Sequence, residues 1–469
     1  MERLSGLDAS FLYFETPTMH MHVCATIVFD PSTMPGGYSF EKVKEFHQSR
    51  LHLVPPYRRK LATVPFNLDH PYWVEDEGFD LDYHVRRIGC PAPGTEEQLA
   101  DIAADIASRP LDRTRPLWEV WVVEGLENGQ IAVVAKMHHS TVDGVSGANV
   151  LVHLFDLQPE PSNKPPPADW KPERKPSDVE MLGRALLSRA VRPVQMIGMI
   201  PQTISAVAKF VRTSRRTGTG MPAPFTAPRT PWNAAVTAHR KVAFARVSLD
   251  EVKHVKRTFG TTVNDVVLAV ASGALRSYLE ERKELPDKSL IAAVPVSVRT
   301  EEEKGTVGTN KVSAMFMSLA SDLDDPVERL MAIHEANKGA KEEHNAIGAE
   351  FLQNWAQFAA PNTFSLAARA YSSLKLAERH PVIHNLVISN VPGPPAPLYF
   401  AGAKLVGLYP LGPVMDGAGL NVTVLSYMDV MDWGLIAGRE LMPGLWGLAA
   451  AIPDALAELV KAADAKAGG

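Results

Sequence analysis

The sequence predicts a mixed α/β protein built from two halves. Short apolar runs bounded by turn residues, as in strands, alternate with longer runs that have the periodicity of helices. The alternation occurs on both sides of residues 159–177, which contain seven prolines among charged residues. Repeated prolines exclude a helix or a central strand, so we expect an extended tether there, between two α/β halves.

Composition and charge limit the class of protein. The chain has 469 residues, 45% of them hydrophobic and 22% charged, as in globular proteins with a full core. Its length favours two or three domains. With a formal net charge of −5, the chain has no overall positive charge of the kind that indicates nucleic-acid binding. The two cysteines, Cys24 and Cys90, exclude a disulfide framework and favour a reducing compartment.

The sequence lacks the apolar lengths that leaders and membrane spans require. Its first eight residues contain no apolar core of a secretory signal. No run of about 18 uncharged apolar residues occurs. We therefore expect a cytoplasmic protein, with any membrane contact peripheral, at the inner membrane face or on lipid inclusions.

Turn signals and N-cap residues delimit the elements of the first half. Ser39 is placed to cap a helix that ends before Pro55, and the polar turn at 127–129 separates two strands expected to form an antiparallel hairpin. The predicted strands are His22–Phe29, Trp118–Glu124 and Ile131–Met137, and the predicted helices are Ser39–Leu53, Glu96–Ser108 and Gly144 to about Leu157.

The second half has the same alternation and a longer central helix. Its predicted strands are Lys241–Val247, Ser289–Val298, Lys311–Leu319, Asn385–Val391, Lys404–Leu411 and Leu420–Met428. The first of its predicted helices begins at Asp250 and the last lies after Pro453. The helices between them are Val263–Leu285, Pro326–Lys341 and roughly Ala349–Leu376.

Residues 181–216 form a basic, amphipathic stretch. They contain seven Lys and Arg and no Asp or Glu, between runs of Leu, Ile, Met and Val. Such a helix can lie on an anionic lipid surface. It can equally pack on the protein with its arginines in solvent, and Pro193 and Pro201 interrupt the pattern.

Residues 135–144 carry the strongest chemical signal. A predicted strand ends at Met137, and His138 and His139 follow on the connection to the next helix, where scaffolds present reactive groups. Adjacent side chains leave an extended segment in opposite directions, so one imidazole can face a given cleft. Imidazole suits general-base catalysis near neutral pH, and Gly144 allows close approach of a substrate.

Other chemistries are less favoured at this segment. The sequence shows neither the His-Glu-x-x-His spacing nor the cysteine cluster of a zinc site. It has no Gly-x-Ser-x-Gly nucleophile elbow either. Direct transfer assisted by a base therefore fits better than an acyl-enzyme, while Asp143 could simply cap the following helix.

Residues 138–144 resemble the His-His-x-x-x-Asp-Gly motif of the acyl-CoA-dependent acyltransferase superfamily, which includes chloramphenicol acetyltransferase, carnitine acyltransferases and peptide synthetase condensation domains. More of the chain resembles the bacterial wax ester synthase/diacylglycerol acyltransferase family, in the family's order and over most of its length. The matching segments are Leu4–Phe11, Met21–Val23, Pro116–Glu119, Asn264–Ala269, Pro295–Arg299 and Ser389–Pro394.

The resemblance implies two domains of the chloramphenicol acetyltransferase type, with a tunnel between them and the histidine motif near its middle. Acyl-CoA would enter on one side, and diacylglycerol or a long-chain alcohol on the other, with diacylglycerol the favoured acceptor by analogy. His139 is the expected general base, taking the hydroxyl proton as the oxygen attacks the thioester. We expect acyl-CoA as co-substrate, no cofactor and no metal.

The resemblance also gives roles to other motif residues. Asp143 is expected to be architectural and paired with Arg299, although Arg299 could merely end a strand in solvent. Asn264 and Asp265, near a helix start, are candidates for substrate contact together with Gly144. A purely structural capping role for the Asn264-Asp265 pair is an equal alternative.

Three further residues complete the expected site. His138 belongs to the catalytic group, with a smaller effect expected than for His139. Trp118 is expected to be core rather than binding surface, and Gly393, between two prolines, to shape a rigid loop.

We therefore predict an N-terminal acyltransferase domain over 1–158, a tether and basic linker over 159–235, and a C-terminal acyltransferase-like domain over 236–469. Two other functions keep this fold. One is a related acyltransferase with a carrier-bound donor, and the other is a lipid-binding pseudoenzyme.

Overall fold

The computed structural model describes residues 2–141, 153–162, 164, 176–190, 201, 203, 205, 221–223, 225–297, 312–347, 357–358 and 360–468. Asp143, Gly144 and Arg299 lie outside these residues, as do most of the proline-rich and basic stretches. Their expected roles stay predictions.

The described residues form two six-stranded sheets, one three-stranded sheet and the helices around them. The strands are β1 Glu2–Arg3, β2 His22–Asp30, β3 Arg59–Ala62, β4 Tyr72–Glu75, β5 Val85–Gly89, β6 Trp118–Glu124, β7 Ile131–His138, β8 Arg240–Ser248, β9 Ile291–Ser297, β10 Val312–Ser318, β11 Leu386–Pro392, β12 Tyr399–Phe400, β13 Ala403–Leu411, β14 Leu420–Tyr427 and β15 Val430–Gly438. The α-helices are α1 Gly6–Phe14, α2 Phe40–Arg50, α3 Leu81–His84, α4 Glu96–Ala107, α5 Leu249–Phe259, α6 Val263–Glu281, α7 Pro326–Ile347, α8 Pro361–Ser373 and α9 Leu445–Ala467.

The first large sheet has the strand order β12-β13-β2-β7-β6-β5 and is antiparallel except for the β5–β6 pair. Alternate residues of its strands face opposite sides. Trp118 and Val133 join the core beneath α2, whereas Val123 and Val134 pack with Leu99 of α4. The sheet is therefore covered on both faces.

The second large sheet has the order β10-β9-β11-β14-β15-β8, with β11 parallel to β9 and β14. Its largest core cluster joins β15 to α6 and α9 through Trp433, Leu268 and Leu456, all buried. The third sheet, of order β1-β4-β3, supports α1 through Trp73, which packs in one cluster with Leu12.

Two strands of the second half, β12 and β13, belong to the first sheet. β13 pairs antiparallel with β2, from Lys404 opposite Asp30 to Leu411 opposite Cys24. A buried carboxylate links this strand to the second sheet, because Asp432 of β15 accepts the Leu408 N–H at 2.8 Å and the Nε–H of Arg246 at 2.6 Å. The three predicted domain ranges stay predictions, since sheet membership does not follow chain order.

Several predicted elements are confirmed. β6 and β7 form the expected antiparallel hairpin, and their ends agree with the prediction to within one residue. Ser39 caps α2 by accepting the Lys42 N–H. The capping box of α4, between Thr95 and Gln98, fixes the start of the helix expected at Glu96.

Two predictions about elements are wrong, and one of the elements that the sequence did not predict is a strand of the second sheet. α8 begins at Pro361 after a turn at 357–358, so a single helix from Ala349 does not form. α9 begins at Leu445 and continues through Pro453, because Leu448 and Ile452 bury a helical stripe that outweighs the proline. β15 was not expected as a strand, and it lies between β14 and β8.

Within the part of the chain that the structure describes, no single helix has the length and apolarity to cross a membrane. The pair α5 and α6, bent by 106°, passes such a test together by length and composition only.

Candidate active site

The histidine pair, His138 and His139, lies where β7 ends and the chain turns. His138 is the last residue of β7 and stands opposite His22 of β2. The N–H of His139 donates to the Met21 carbonyl at 2.7 Å, and the Thr141 N–H returns to the His138 carbonyl at 2.9 Å. These bonds fix the turn against β2.

The two imidazoles contact different surroundings. His138 is buried, with 1% of its surface exposed, and its ring lies edge-on to that of His22, with 6.0 Å between centroids. His139 is partly exposed, and its ring stacks on Phe11 of α1 with 4.0 Å between centroids and 18° between planes. His139 is therefore the more accessible of the two.

The hydrogen bonds of His138 define its tautomer. The Ser140 N–H donates to Nδ1 of His138 at 3.1 Å, and the Ser140 hydroxyl lies 2.8 Å from the same nitrogen. Nδ1 is thus an acceptor, and a neutral ring carries its proton on Nε2. Burial lowers the pKa of His138, although the Glu15 carboxylate acts in the opposite direction. The ring is accordingly neutral near pH 7.

Nε2 of His138 lies in a carboxylate–imidazole cluster, which consists of Glu15, His20, His22 and His138. Glu15 Oε2 lies 3.7 Å from His138 Nε2, and Glu15 Oε1 lies 3.4 Å from His22 Nε2 and 4.0 Å from His20 Nδ1. The distances to His138 and His20 exceed those of direct hydrogen bonds, and the contact with His22 does not have the geometry of a hydrogen bond either.

Glu15 is ionised despite its burial. The Arg113 Nε–H donates to Glu15 Oε2 at 3.1 Å. Burial acts to raise the pKa of Glu15, but the His138 and His22 imidazoles and the Arg113 guanidinium outweigh it and hold the pKa well below its ordinary value. Burial also lowers the pKa of His22 to about 3. A negative carboxylate thus lies among neutral imidazoles.

The roles of Glu15, His20 and His22 were not predicted from the sequence. His20 and His22 are separated by one residue, which on an extended segment places both side chains on one side. That spacing was an available signal. Glu15 comes from the end of α1 and offers no comparable pattern.

Trp118 is a core residue, as expected. It is 1% exposed, stacks between Tyr57 and His84 with centroids 4.3 and 4.4 Å away, and donates its indole N–H to the Tyr57 carbonyl at 3.0 Å. Its contacts are those of a packed side chain.

Asp265 caps α6. Its carboxylate accepts the Thr262 N–H at 2.8 Å, contacts His334 Nδ1 at 2.6 Å and accepts from the Asn337 amide. Burial acts to raise its pKa, and these hydrogen bonds hold the pKa below its ordinary value. Asn264 beside it is half-buried. The capping role is thus observed, and substrate contact by these two residues stays a prediction.

Gly393 follows β11, where the backbone passes very close to β14. A Cβ at this position would lie 2.1 Å from the Ser426 carbonyl oxygen and 2.7 Å from Leu425 Cδ2. The residue therefore shapes the chain path and has a supporting role.

A cavity of about 240 Å³ opens at the start of α1, lined by Arg3, Asp8 and Trp73 among others, rather than at the histidine pair. In the described ranges, no group of three or more His, Cys, Asp and Glu has the arrangement to hold a metal ion. The tunnel between the two halves stays a prediction.

Two family models match most of the chain. The model of the wax ester synthase/diacylglycerol acyltransferase catalytic domain matches residues 4–267, and that of the WS/DGAT C-terminal domain matches residues 308–460. The two family models together therefore cover both halves of the chain.

Two curated relatives from Mycobacterium tuberculosis strain H37Rv carry the name diacylglycerol O-acyltransferase, each with the prefix "putative". One is 41% identical over 465 residues, covering 99% of this chain and 91% of the relative. The other is 35% identical over 475 residues, covering 100% and 98%.

Solved structures confirm the two-domain fold of the chloramphenicol acetyltransferase type. The wax ester synthase/diacylglycerol acyltransferase from Marinobacter aquaeolei VT8 matches with a TM-score of 0.70 and 30% identity, over 99% of this chain and 100% of that one. The first condensation domain of the calcium-dependent antibiotic synthetase matches with a TM-score of 0.59 and 14% identity, over 98% and 96%. The second likeness concerns the fold alone.

Proposed function

Because this chain belongs to the wax ester synthase/diacylglycerol acyltransferase family and is an acyltransferase, we propose that it transfers a long-chain acyl group from acyl-CoA to diacylglycerol, to a long-chain fatty alcohol, or to both. The products are triacylglycerol and wax esters. The family relationship over both halves of the chain supports the reaction class.

The general base in this proposal is His139. The assignment rests on the different surroundings of the two histidines. The His138 side chain is buried in the carboxylate–imidazole cluster, whereas the His139 side chain is partly exposed. Stacking on Phe11 at 4.0 Å restricts rotation of the His139 ring. A base held in one orientation transfers protons efficiently.

The reaction proceeds in one transfer without an acyl-enzyme. His139 takes the proton of the acceptor hydroxyl as the oxygen forms a bond to the thioester carbonyl carbon. The tetrahedral species then collapses, the carbon–sulfur bond breaks, and the CoA thiolate leaves with the proton that the imidazolium returns. Exclusion of water from the tunnel would strengthen the stabilisation of the developing charge.

The proposal is tested with radiolabelled palmitoyl-CoA and either diacylglycerol or hexadecanol. We expect labelled ester from the native protein and a loss of about 10²–10⁴-fold in His139→Ala, the range for general-base catalysis. Equal turnover in His139→Ala would remove His139 from the mechanism. Labelled protein after an acid quench would contradict direct transfer.

The same assay separates the alternatives. A lipid-binding pseudoenzyme would bind the label without forming ester. A carrier-dependent transferase would use a carrier-bound acyl group in preference to palmitoyl-CoA. The ratio of rates with the two alcohols assigns the acceptor, for which diacylglycerol is our proposal.

We also propose that the protein contacts lipid through an apolar surface consisting of Phe66, Val179, Leu186 and Leu187. Phe66 is 80% exposed and Leu187 69% exposed. The helical segment over 178–190 is joined to the Phe66 turn, because Arg189 donates to the Leu68 carbonyl at 3.2 Å. Residues 181–190 of this segment begin the basic stretch, whose seven Lys and Arg suit an anionic surface.

Sedimentation with vesicles that contain anionic lipid tests this contact. We expect the doubly substituted Phe66→Ser, Leu187→Ser protein to sediment less than the native protein. Phe225→Ser, at another exposed phenylalanine, is the matched control and should sediment as the native protein does. Equal sedimentation of all three would remove this surface from lipid contact.

A further inference from the structure

Helix α1 contacts both members of the histidine pair. Phe11 stacks on the His139 ring, and Glu15, four residues later, lies 3.7 Å from His138 Nε2. Glu15 is the C-cap residue that ends α1. Helix α1 and the residue that ends it therefore meet both imidazoles.

Arg113 fastens Glu15 to the end of this helix. Its guanidinium donates to Glu15 Oε2 and also to the Leu12 carbonyl at 2.8 Å, one of the carbonyls left free at the helix end. The carboxylate is consequently held in place as well as charged, and 10% of its side chain is exposed.

Within the described residues, several buried polar atoms of this cluster have no hydrogen-bond partner. They are Glu15 Oε1, His20 Nδ1, both ring nitrogens of His22, and His138 Nε2. Buried polar groups are nearly always paired, so a concentration of unpaired atoms calls for a reason. Perturbed titratable groups gather at functional sites, and this cluster adjoins the proposed base.

Building on the proposed function, we propose that Glu15 is a positioning residue for acyl transfer, which acts through His138 to orient and electrostatically support His139. The negative carboxylate faces Nε2 of His138 and stabilises the tautomer with its proton there. That tautomer leaves Nδ1 free to accept the Ser140 N–H, which shapes the turn carrying His139. The fixed negative charge of Glu15, in contact with the neighbouring His138, favours the positive charge that His139 gains with the substrate proton.

The titratable and charged groups around the carboxylate–imidazole cluster come from every neighbouring element. They are His20, just before β2, His22 at its start, Arg113 from the segment before β6, Lys136 and His138 from β7, and Arg240 from β8. Lys136 is already paired with Glu119 at 3.2 Å, and Arg240 donates to the Thr18 carbonyl at 2.8 Å. Arg113 is thus the cation bonded directly to Glu15.

Substitution Glu15→Gln tests the proposal in the full chain. We expect kcat to fall up to roughly 100-fold, as when a reacting group is misplaced by about 1 Å, with the KM for palmitoyl-CoA unchanged. Loss of the negative charge makes a nearby imidazole easier to deprotonate. The acid limb of the pH–rate profile should therefore move to lower pH, by about one unit, and Glu15→Asp should restore part of the rate.

Asp432→Asn is the matched control, because Asp432 is also a buried carboxylate bonded to an arginine but lies on β15. It should lower stability and leave the pH limb in place. If the acid limb of the pH–rate profile stays at the native pH in Glu15→Gln, the proposal is overturned. The acyl transfer itself is tested separately, by His139→Ala.

A measurement on the native protein is independent of folding in the variants. Nitrogen-15 NMR of histidine-labelled protein should show His138 protonated at Nε2 and unprotonated at Nδ1 near pH 7, assigned by comparison with His138→Gln. A proton at Nδ1 would overturn the role of Glu15, even if the protein is an active acyltransferase.

Discussion

The Ser140 N–H points at Nδ1 of His138 across 3.1 Å, so the buried imidazole serves as an acceptor for the turn that follows it. His138 is thereby part of the support for its neighbour. The bond also explains why two adjacent histidines need not share a chemical task.

Replacing His138 should reduce activity less than replacing His139. His138→Ala removes an acceptor from the Ser140 N–H and a ring from a buried cluster, but it leaves the proposed base. The rates of both variants with palmitoyl-CoA, corrected for folded fraction, decide this. An equal or larger loss in His138→Ala would exchange the two assignments.

Asp265→Asn should lower the stability of the folded chain, and its KM tests the predicted substrate contact. The charged carboxylate caps α6 and holds His334 at 2.6 Å, and a buried hydrogen bond to a charged group contributes about 1.5–3 kcal/mol. Denaturant unfolding and KM for each substrate are the measurements. Asn264→Ala serves as the neighbouring comparison, since a raised KM in either variant at unchanged stability would favour substrate contact.

Gly393→Ala should destabilise the chain by roughly 1–3 kcal/mol, the usual cost of overpacking. Its Cβ would lie 2.1 Å from the Ser426 oxygen, a backbone atom that cannot turn aside. Gly89→Ala is the control, because a Cβ there meets nothing within 4 Å. Similar unfolding free energies for the two variants would contradict the close approach.

The acid sensitivity of folding should depend on His47. In the folded chain, burial and the nearby His84 lower the pKa of His47 from 6.5 to about 3. Between these values the unfolded chain binds a proton that the folded chain does not. Stability from this group is therefore present above pH 6.5 and is lost as the pH falls through the window.

His47→Phe keeps a ring against Tyr57 and Trp118 and removes this titration. We expect its loss of unfolding free energy between pH 6.5 and pH 5 to be about 1.7 kcal/mol smaller than that of the native protein, since the slope reaches 1.36 kcal/mol per pH unit only below the unfolded pKa. Parallel slopes for His47→Phe and the native protein would refute the assignment.

Local signals predicted the elements whose ends are marked in the sequence. Ser39 and Thr95 cap α2 and α4, and the polar turn before Ile131 separates the strands of the hairpin. β15 lacked such a mark. The turn before it contains Met428 at a φ of 55°, a conformation that sequence patterns associate with glycine or asparagine.

The histidine pair was predictable because its residues are adjacent. The carboxylate–imidazole cluster was not, because the fold brings Glu15 next to His138 from a distant part of the sequence, and α1 itself was not among the predicted helices. Motifs report neighbours in the sequence, whereas burial and charge depend on neighbours in space.

The insertion of β13 beside β2 also governs how the protein can be divided. A fragment that stops before Ala403 would expose the backbone groups of β2 along an open edge, a template for aggregation. During synthesis, β13 can pair with β2 of the first sheet only after Leu411 has left the ribosome. Cleavage between the halves would therefore leave two chains bound together, and separate expression of either half should yield insoluble material.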